Sequence, residues 1–276
     1  MLHKPTSLRT QTQWSGFALY SERQNLILDE VHKHGFVSID RMADRYQVST
    51  QTIRRDVNLL SEAGELRRVR GGVDKPVLRS NLNYARRSAL NPREKQLIAS
   101  LVADHVADGS SLAISIGTTP EIVIEALIGK PNLRIFTNNL NVAMLASAQS
   151  DWQVTIPGGS IRPNDRDVLG SAVEEFFAKY RVDYGIFGVG GVSPSGNLLD
   201  FTEDEVACRA AIQANCNESF LVLDHSKFSR RAFVRGGVIS SPTKVFCNDT
   251  PPAPIVDLLK ASQTPLITPE KDTSHA

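Results

Sequence analysis

The sequence predicts two domains: a small, mainly helical one that ends in a β-hairpin, and a larger α/β domain built on a parallel sheet. Three short helical patterns open the chain and are followed by a basic segment with two adjacent glycines. Apolar, strand-like segments then alternate with helical segments at the pitch of a parallel sheet covered by helices. A chain of 276 residues is long enough for one small and one larger domain.

The first two helices are predicted from apolar periodicity and capping residues. The first spans residues 22–34 and ends at Gly35, which is typical of a C-terminal cap. Its apolar side chains fall within one broad stripe, formed by Leu26, Ile27, Leu28 and Val31. The second begins after Val37 with Ser38 as its N-cap. It is expected to bury Ile39, Met42, Ala43 and Tyr46.

The third helix has two unlike faces. Ser49 is its expected N-cap, and Ile53, Val57 and Leu60 recur at helical spacing and predict a buried face. Short polar and forked cationic groups occupy the other face, which suits phosphate oxygens and base edges in the major groove. With the basic segment downstream, the predicted DNA contacts are Ser49, Thr50, Gln51, Thr52, Arg54, Arg55, Arg67, Arg68 and Arg70.

A polar, arginine-bearing helix face is also typical of a helix that simply meets water. The wider layout favours DNA binding, because two short helices, a tight turn, a third helix and a glycine-tipped hairpin form a winged helix-turn-helix. The helix-turn-helix is predicted at residues 37–56 and the wing at 66–73. Residues 1–80 hold 13 Lys and Arg against 9 Asp and Glu, a net charge of +4. This modest excess favours contact with nucleic acid over indiscriminate coating of polyanions.

Other sequence features set limits on function. Cys208, Cys216 and Cys247 are odd in number and widely spaced, so we expect neither a disulfide framework nor a zinc site. No apolar run reaches membrane-spanning length, and the first 20 residues lack the core of a signal peptide. We therefore expect a cytoplasmic protein without metal, cofactor or membrane partner.

The larger domain is predicted from alternating elements. Helical patterns cover residues 94–106, 120–127 and 141–148, and strand patterns cover 111–116, 134–137, 154–156, 184–188 and 220–223. In such sheets ligands bind beyond the carboxyl ends of the strands. Small polar residues follow these ends, and they predict a site for a small phosphorylated polyol. The candidates are Gly117, Thr118, Thr119, Thr137, Asn138, Asn139, Gly158, Gly159, Asp224 and Lys227. Each of these elements alone is also typical of a turn or a loop ion pair.

The third helix and the wing resemble the DeoR-type family of bacterial sugar-responsive repressors. The run Ser49-Thr50-Gln51-Thr52-Ile53-Arg54-Arg55-Asp56-Val57 and the downstream Arg70-Gly71-Gly72 carry the resemblance, which covers nearly the whole chain. The family commonly has His-Gly-Gly-Ala at the wing, where this sequence has Arg70-Gly71-Gly72-Val73. An arginine there still suits a phosphate or a narrow minor groove, but the base preference of that residue can differ.

Five later segments are also similar to this family: residues 116–121, 132–143, 198–201, 224–228 and 251–252. The resemblance implies a sensor domain with a fold like that of ribose-5-phosphate isomerase and the CoA transferases. It also implies that Glu205 approaches the effector, with Arg209 on the same helix. The implied effector is a phosphorylated metabolite, with glycerol 3-phosphate favoured and another sugar phosphate as the alternative.

These inferences combine into one hypothesis, a homo-oligomeric repressor that releases double-stranded operator DNA when its effector binds. A sugar-phosphate isomerase with a DNA-binding appendage is the alternative from another class, because Asp224, Lys227 and Glu205 could supply an acid and a base. The expected domains are a flexible extension at 1–20, a winged helix-turn-helix at 21–77, a linker at 78–93, a sensor domain at 94–260 and a flexible tail at 261–276.

Overall fold

The computed structural model describes residues 20–62, 65–74, 84–163 and 165–270. The chain divides into two compact units, residues 1–77 and 78–276. The expected extension at 1–20 therefore lies outside the described residues except for Tyr20, as do part of the expected linker and the last six residues of the expected tail.

The first unit is the predicted winged helix-turn-helix. Its elements are α1 (Glu22–His34), β1 (Val37–Ser38), α2 (Ile39–Tyr46), α3 (Thr50–Glu62), β2 (Arg67–Val69) and β3 (Gly72–Asp74). The three predicted caps are confirmed. Gly35 is the C-cap of α1, Ser38 Oγ accepts a hydrogen bond from Arg41 N, and Ser49 Oγ accepts one from Thr52 N at 3.1 Å.

The predicted inward face of α3 is confirmed, because Ile53, Val57 and Leu60 are buried in the core of this unit. The stripe predicted for α1 is too wide by one residue. Leu26 is 47% exposed, whereas the next residue, Ile27, is fully buried. Adjacent residues on a helix point about 100° apart, so Leu26 falls outside the face that Ile27 and Val31 share.

The wing depends on its two glycines for different reasons. Gly71 is at the tip with φ +81°, a left-handed conformation that favours glycine. Gly72 begins β3, which pairs with both β2 and β1 in one antiparallel sheet. A Cβ on Gly72 would lie 2.3 Å from the carbonyl oxygen of Val37. The pairing of β3 with β1 was not predicted from the sequence, and it ties the wing to the helix-turn-helix.

The second unit is an α/β domain. Its helices are α4 (Tyr84–Ala89), α5 (Pro92–Ala103), α6 (Thr118–Ala126), α7 (Leu140–Ser147), α8 (Ser171–Ala178), α9 (Glu203–Ala214) and α10 (Ala253–Ala261), with a 3-10 helix at His225–Ser229. Its strands are β4 (Ser111–Ile114), β5 (Arg134–Thr137), β6 (Gln153–Thr155), β7 (Ile161–Arg162), β8 (Asp167–Val168), β9 (Val182–Phe187), β10 (Gly191–Val192), β11 (Asn197–Asp200), β12 (Cys216–Leu223), β13 (Val234–Val238), β14 (Lys244–Cys247) and β15 (Leu266–Ile267).

The predicted parallel sheet is confirmed and has seven strands in the order β15-β14-β12-β9-β4-β5-β6. Its side chains alternate between two cores, because successive residues of a strand point to opposite faces. Phe220 and Val222 pack on one side of the sheet with α5, α6 and α7, and Leu221 packs on the other side with α8, α9 and α10. Helices thus cover both faces, which explains why the strands read as continuous apolar runs.

Two predicted boundaries differ from the structure. The expected linker at 78–93 contains α4 and the first residues of α5, because polar side chains there serve one face of each helix while Arg86 and Lys95 are buried. The expected tail at 261–276 begins too early, since Leu266–Ile267 pair in parallel with β14 as the last strand of the sheet. A two-residue strand is too short to show a period in the sequence.

We expect Gly72→Ala to destabilise the first unit, because the new methyl group would overlap the Val37 carbonyl and push β3 away from β1. Overpacking of this kind costs about 1–3 kcal/mol. Thermal unfolding of the purified variant measures the loss. Gly158→Ala is the matched control, because a Cβ there meets nothing within 4 Å. Equal stability of the two variants would show that the β1–β3 pairing is not a constraint.

Candidate nucleic-acid interface and effector pocket

A buried carboxylate orients the third helix of the first unit. Asp56 on α3 is 5% exposed and accepts hydrogen bonds from Arg23 Nε at 2.6 Å and Gln24 Nε2 at 3.0 Å, both on α1. Glu30 makes a similar link from α1 to α2, since it accepts from Arg45 and from Tyr46 Oη at 2.7 Å. Sequence analysis missed both carboxylates. They hold the outward face of α3 in a fixed direction.

The predicted DNA contacts divide into free and engaged side chains. Gln51, Arg54 and Arg55 are exposed on α3 and make no hydrogen bond or ion pair with the described residues. Arg54 and Arg68 line one groove between α3 and the wing, so two guanidinium groups face the same space. Five other predicted contacts belong to α3, its cap or the wing but do not line this groove: Ser49, Thr50, Thr52, Arg67 and Arg70.

Two of these predicted contacts already have partners in the protein. Ser49 Oγ accepts from Thr52 N, as the cap of α3. Arg67 is paired with Asp74 across the wing at 3.1 Å. Such an exposed ion pair is weak, and a phosphate could replace the carboxylate.

In the second unit, a cavity lies where the carboxyl ends of three neighbouring strands meet. The strands are β4, β9 and β12, which are adjacent in the sheet. The segments that follow them supply Gly117–Thr119, Gly188–Gly190 and Lys227 to the cavity wall. The cavity is small, at about 60 Å3. This is the position at which parallel α/β sheets bind ligands.

The N-terminus of α6 opens into this cavity. Gly117 caps the helix with φ +122°, and Thr118 and Thr119 form its first turn. The first N–H groups of a helix lack partners within the helix, and the helix dipole places partial positive charge there. Both effects favour an anion, and the two hydroxyl groups can add hydrogen bonds.

Four cationic side chains gather at the same place. Lys227, Arg87 and Arg230 line the cavity, and Lys95 lies behind Arg87 and donates a hydrogen bond to its carbonyl oxygen. Burial and the nearby guanidinium group of Arg230 lower the pKa of Lys227 to about 7, against the opposing pull of Asp224. Burial likewise lowers the pKa of Lys95 to about 8 and that of Arg230 to about 10.

Two of these cations have donor atoms without an acceptor among the described residues. Among the described residues no group accepts a hydrogen bond from the Lys227 ammonium. The Arg87 guanidinium pairs with Asp165, but its Nε has no hydrogen-bond partner among the described residues. An anionic ligand would supply the missing acceptors.

The two predicted carboxylates have different positions. Glu205 lines the cavity, where it accepts from Phe201 N at 2.9 Å and from Arg162 at 3.3 Å. Asp224 is 2% exposed and does not line the cavity. It accepts from Ser226 N at 3.0 Å and Asn91 Nδ2 at 2.9 Å, and thereby fixes the turn that carries Lys227. The nearby cation Lys227 and these hydrogen bonds outweigh burial and hold the pKa of Asp224 below its usual range.

Five other predicted effector residues do not line this cavity. Thr137 ends β5, and Asn138 and Asn139 follow it. All three are buried and donate side-chain hydrogen bonds to Ile114 O, Val168 O and Glu121, respectively. Gly158 and Gly159 follow β6, the strand at the edge of the sheet. Strands are about 4.8 Å apart, so β6 lies roughly 10 Å from β4. Of the five strand ends at which the sequence predicted ligand residues, only those of β4, β9 and β12 contribute to the cavity wall.

Sequence analysis missed Arg87 and Arg230 as cavity residues. Arg87 lies in the segment expected to be a linker, and its place in the run Arg86-Arg87 was the available signal. Arg230 comes three residues after Lys227, and its guanidinium lies 5.1 Å above the ring of Phe201. Neither residue directly follows a strand. The prediction considered only residues at strand ends, so it did not include them.

Within the described ranges, the structure contains no cluster of His, Cys, Asp or Glu side chains suited to a metal ion. Cys208, Cys216 and Cys247 are all buried free thiols, and burial raises the pKa of each. None of the described helices is long and apolar enough to cross a membrane.

A winged helix-turn-helix unit joined to a unit with a cavity lined by cations is the arrangement expected of a DNA-binding regulator with a small-molecule sensor. Comparison with known proteins agrees with this class. Residues 23–76 match the DeoR-like helix-turn-helix domain, and residues 90–249 match the DeoR C terminal sensor domain. The chain belongs to the DeoR family of DNA-binding transcriptional repressors.

Several curated relatives cover almost the whole chain. This chain is 40% identical over 239 residues to the glycerol-3-phosphate regulon repressor of Escherichia coli K12. The aligned region covers 87% of this chain and 95% of the relative. It is 39% identical over 247 residues to the protein of the same name from Haemophilus influenzae, over 90% and 96% of the two chains. It is 35% identical over 250 residues to the E. coli HTH-type transcriptional repressor CsqR, over 91% and 96%.

Among solved structures, ribose 5-phosphate isomerase A from Methanocaldococcus jannaschii is 17% identical, with a TM-score of 0.37 over 50% of this chain and 55% of that one. The translation initiation factor eIF-2B of Pyrococcus horikoshii is 11% identical, with a TM-score of 0.45 over 81% and 86%.

We expect Arg54→Ala to weaken operator binding, because Arg54 is exposed on α3 and faces the groove that Arg68 also lines. If Arg54 meets a phosphate, the slope of log affinity against log salt concentration should fall by about one. Fluorescence anisotropy with labelled operator DNA at several salt concentrations measures both quantities. Lys33→Ala removes an exposed cation from α1 and is the matched control. An unchanged affinity for Arg54→Ala would exclude this residue from the interface.

Proposed function

We propose that this repressor releases its operator when a small phosphorylated metabolite, glycerol 3-phosphate, binds the cavity of the second unit. The observation that carries the proposal is the gathering of three cations, Lys227, Arg87 and Arg230, at the N-terminus of α6. Among the described residues no group accepts from the Lys227 ammonium, and the Arg87 Nε has no acceptor. A phosphate supplies charge and several acceptor oxygens at once, as this arrangement requires.

The names of two relatives support a three-carbon ligand over a hexose phosphate. The ring of Phe201, with the Arg230 guanidinium above it, forms part of the cavity wall. Two of the relatives are named for a glycerol-3-phosphate regulon. Glu205, at the same wall, has carboxylate oxygens that could accept hydrogen bonds from ligand hydroxyl groups. A repressor that responds to another sugar phosphate is the alternative.

We propose that the second unit binds the effector without converting it and needs no cofactor. Glu205, a candidate base in the alternative isomerase hypothesis, is already held by Arg162 and the Phe201 amide. We infer a cytoplasmic protein from the DNA that it binds. A homo-oligomer follows from the small number of base pairs that one winged unit can read, because paired half-sites add affinity through effective concentration.

Calorimetric titration with glycerol 3-phosphate tests the proposed effector directly. Fructose 1-phosphate, fructose 6-phosphate and inorganic phosphate are the comparisons. Selective binding of glycerol 3-phosphate, followed by loss of operator binding at the same concentrations, is the expected result. An effector coupling of about 1–3 kcal/mol would change operator affinity roughly 5- to 150-fold. Selective binding of a hexose phosphate would replace the effector, and no binding of any phosphate would contradict the site.

We expect Lys227→Met to abolish effector response while leaving operator binding intact. The loss of one charge-assisted hydrogen bond should weaken phosphate binding about ten- to hundredfold, since such bonds contribute about 1.5–3 kcal/mol. The ligand-free variant should also unfold at a higher temperature, because methionine removes a buried ammonium at nearly constant length. Calorimetry, anisotropy and thermal unfolding give the three readouts. A less stable variant that also loses operator binding would make Lys227 structural.

We expect effector binding to take up a proton at pH 8. The pKa of Lys227 is about 7 in the empty cavity, so its amine is largely neutral at pH 8, and a phosphate dianion should raise the pKa and protonate it. Affinity should therefore fall as pH rises above 7. Binding enthalpies measured at pH 8 in buffers of different ionisation enthalpy count the protons. Enthalpies that are independent of buffer in the wild type would refute this linkage. Lys227→Met should show a weaker dependence on buffer than the wild type, because Lys95, with a pKa of about 8, remains beside the cavity.

The same shift affects the stability of the ligand-free protein. A lysine with a folded pKa of about 7 and an unfolded pKa of about 10.4 binds fewer protons in the folded state between these values. Its contribution therefore makes the folded state more stable as pH rises from 7 to 10, and Lys95 acts in the same direction. In denaturant titrations at pH 7 and pH 9, Lys227→Met should show less of this increase than the wild type.

A further inference from the structure

The helix α4 holds a special position in the chain. It is the first described element after β3, the last strand of the first unit, and only residues 75–83 separate the two. Any displacement of α4 therefore moves the end of the segment that leads to the DNA-binding unit. The sequence of residues 78–93 showed no element with two alternative states, because the residues that contact α4 are distant from it in the chain.

One residue of α4 belongs to the cavity wall. Arg87 lines the cavity, and its guanidinium pairs with Asp165 while its Nε lacks a partner among the described residues. The carbonyl oxygen of Arg87 accepts hydrogen bonds from Lys95 Nζ and from Thr118 Oγ1, the latter at 3.4 Å. The backbone of α4 is thus bonded to the same threonine that opens the anion-binding helix α6.

The first residue of α4 is anchored outside the cavity. Tyr84 Oη donates a hydrogen bond to Glu121 Oε2 at 2.6 Å, and the Arg166 guanidinium lies 5.3 Å above the tyrosine ring. Glu121 is buried on α6 and also accepts from Asn139 and Asn141. Burial and the bond to Glu121 raise the pKa of Tyr84 to about 12, so the phenol remains a donor. Tyr84 does not line the cavity.

We propose that Arg87 is a ligand of the effector phosphate and that α4 transmits this contact to the DNA-binding unit. In the empty protein Asp165 holds Arg87, whereas the phosphate competes with Asp165 for the guanidinium. Transfer of Arg87 from Asp165 to the phosphate shifts α4 along α6 and moves the end of the connecting segment. This inference rests on the proposed function, and it deepens that function by naming the element that couples the two sites.

A bistable guanidinium meets the energetic requirement for coupling. An effector shifts an equilibrium only by as much as it prefers one state over the other. The Arg87–Asp165 pair exists only in the empty arrangement, and the Arg87–phosphate pair exists only in the bound arrangement. Each is a contact between a guanidinium and an anion, so the two states can differ by the few kcal/mol that allow switching.

We expect Asp165→Asn to imitate the effector. Without its carboxylate partner Arg87 is free for the phosphate, so glycerol 3-phosphate should bind at least threefold more tightly, and operator affinity without effector should fall. Asp151→Asn is the control for the loss of one carboxylate charge, because Asp151 accepts a hydrogen bond from Asn132 N and lies outside the cavity lining. Calorimetry and operator anisotropy measure the two affinities. Wild-type values for both in Asp165→Asn would overturn the proposed competition.

The anchor of α4 is tested by Tyr84→Phe. This variant should bind glycerol 3-phosphate within about twofold of the wild type, whereas the ratio of operator affinities without and with effector should fall towards one. Tyr184→Phe makes the same chemical change on β9 and is the control; Tyr184 lines a different surface pocket. Full coupling in Tyr84→Phe would remove α4 as the transmitting element.

The outcomes separate this inference from the function on which it rests. If the wild-type protein binds none of the phosphorylated compounds, the proposed function fails and the variants carry no further meaning. If the wild type binds glycerol 3-phosphate and releases the operator, while Asp165→Asn and Tyr84→Phe both behave like their controls, only the coupling through α4 fails. Thermal unfolding of each variant identifies any loss that arises from misfolding.

Discussion

The second unit depends on one electrostatic constraint, the gathering of cations at the carboxyl ends of three adjacent strands. Lys227, Arg87 and Arg230 line a cavity at the N-terminus of α6. Asp165 pairs with Arg87, but among the described residues neither the Arg87 Nε nor the Lys227 ammonium has an acceptor. Such an arrangement is costly without a ligand, as the lowered pKa of Lys227 indicates. The protein tolerates this cost because the surrounding sheet is rigid and both of its faces are covered by packed helices.

The same constraint links binding to regulation. If the protein paired these cations completely, they would bind an effector weakly. If it left them entirely without partners, they would destabilise the fold. Asp165 and Asp224 give partial compensation in different ways: Asp165 is partly buried and pairs with Arg87, whereas Asp224 is fully buried beside Lys227. An exchangeable partner for Arg87 provides two states of similar energy, and α4 carries that exchange towards the connecting segment.

Fixed polar contacts have the opposite role in the DNA-binding unit. Asp56 and Glu30 are buried and fully engaged by side chains of neighbouring helices, so they orient α3 without taking part in recognition. The exposed cations Arg54 and Arg68 are then held at one groove. In the DNA-binding unit, therefore, buried charged groups have partners within the protein and fix its geometry. In the second unit, the cations of the cavity are the groups that we propose to bind a ligand.

The sequence by itself determined the elements whose cause is local. Periodicity and capping located both ends of α1, the starts of α2 and α3, and the wing to within a residue, and alternation predicted the parallel sheet and the glycine and threonine residues at its strand ends. Only the tertiary structure decided which strand ends meet, because the order of strands in a sheet depends on pairings between distant segments. It therefore separated Lys227 and Thr119 in the cavity from Asn138 and Gly158 outside it. It also brought Arg87 into the cavity from a segment whose polar composition is typical of a linker, since a helix of six residues has too few turns to show its buried face in the sequence.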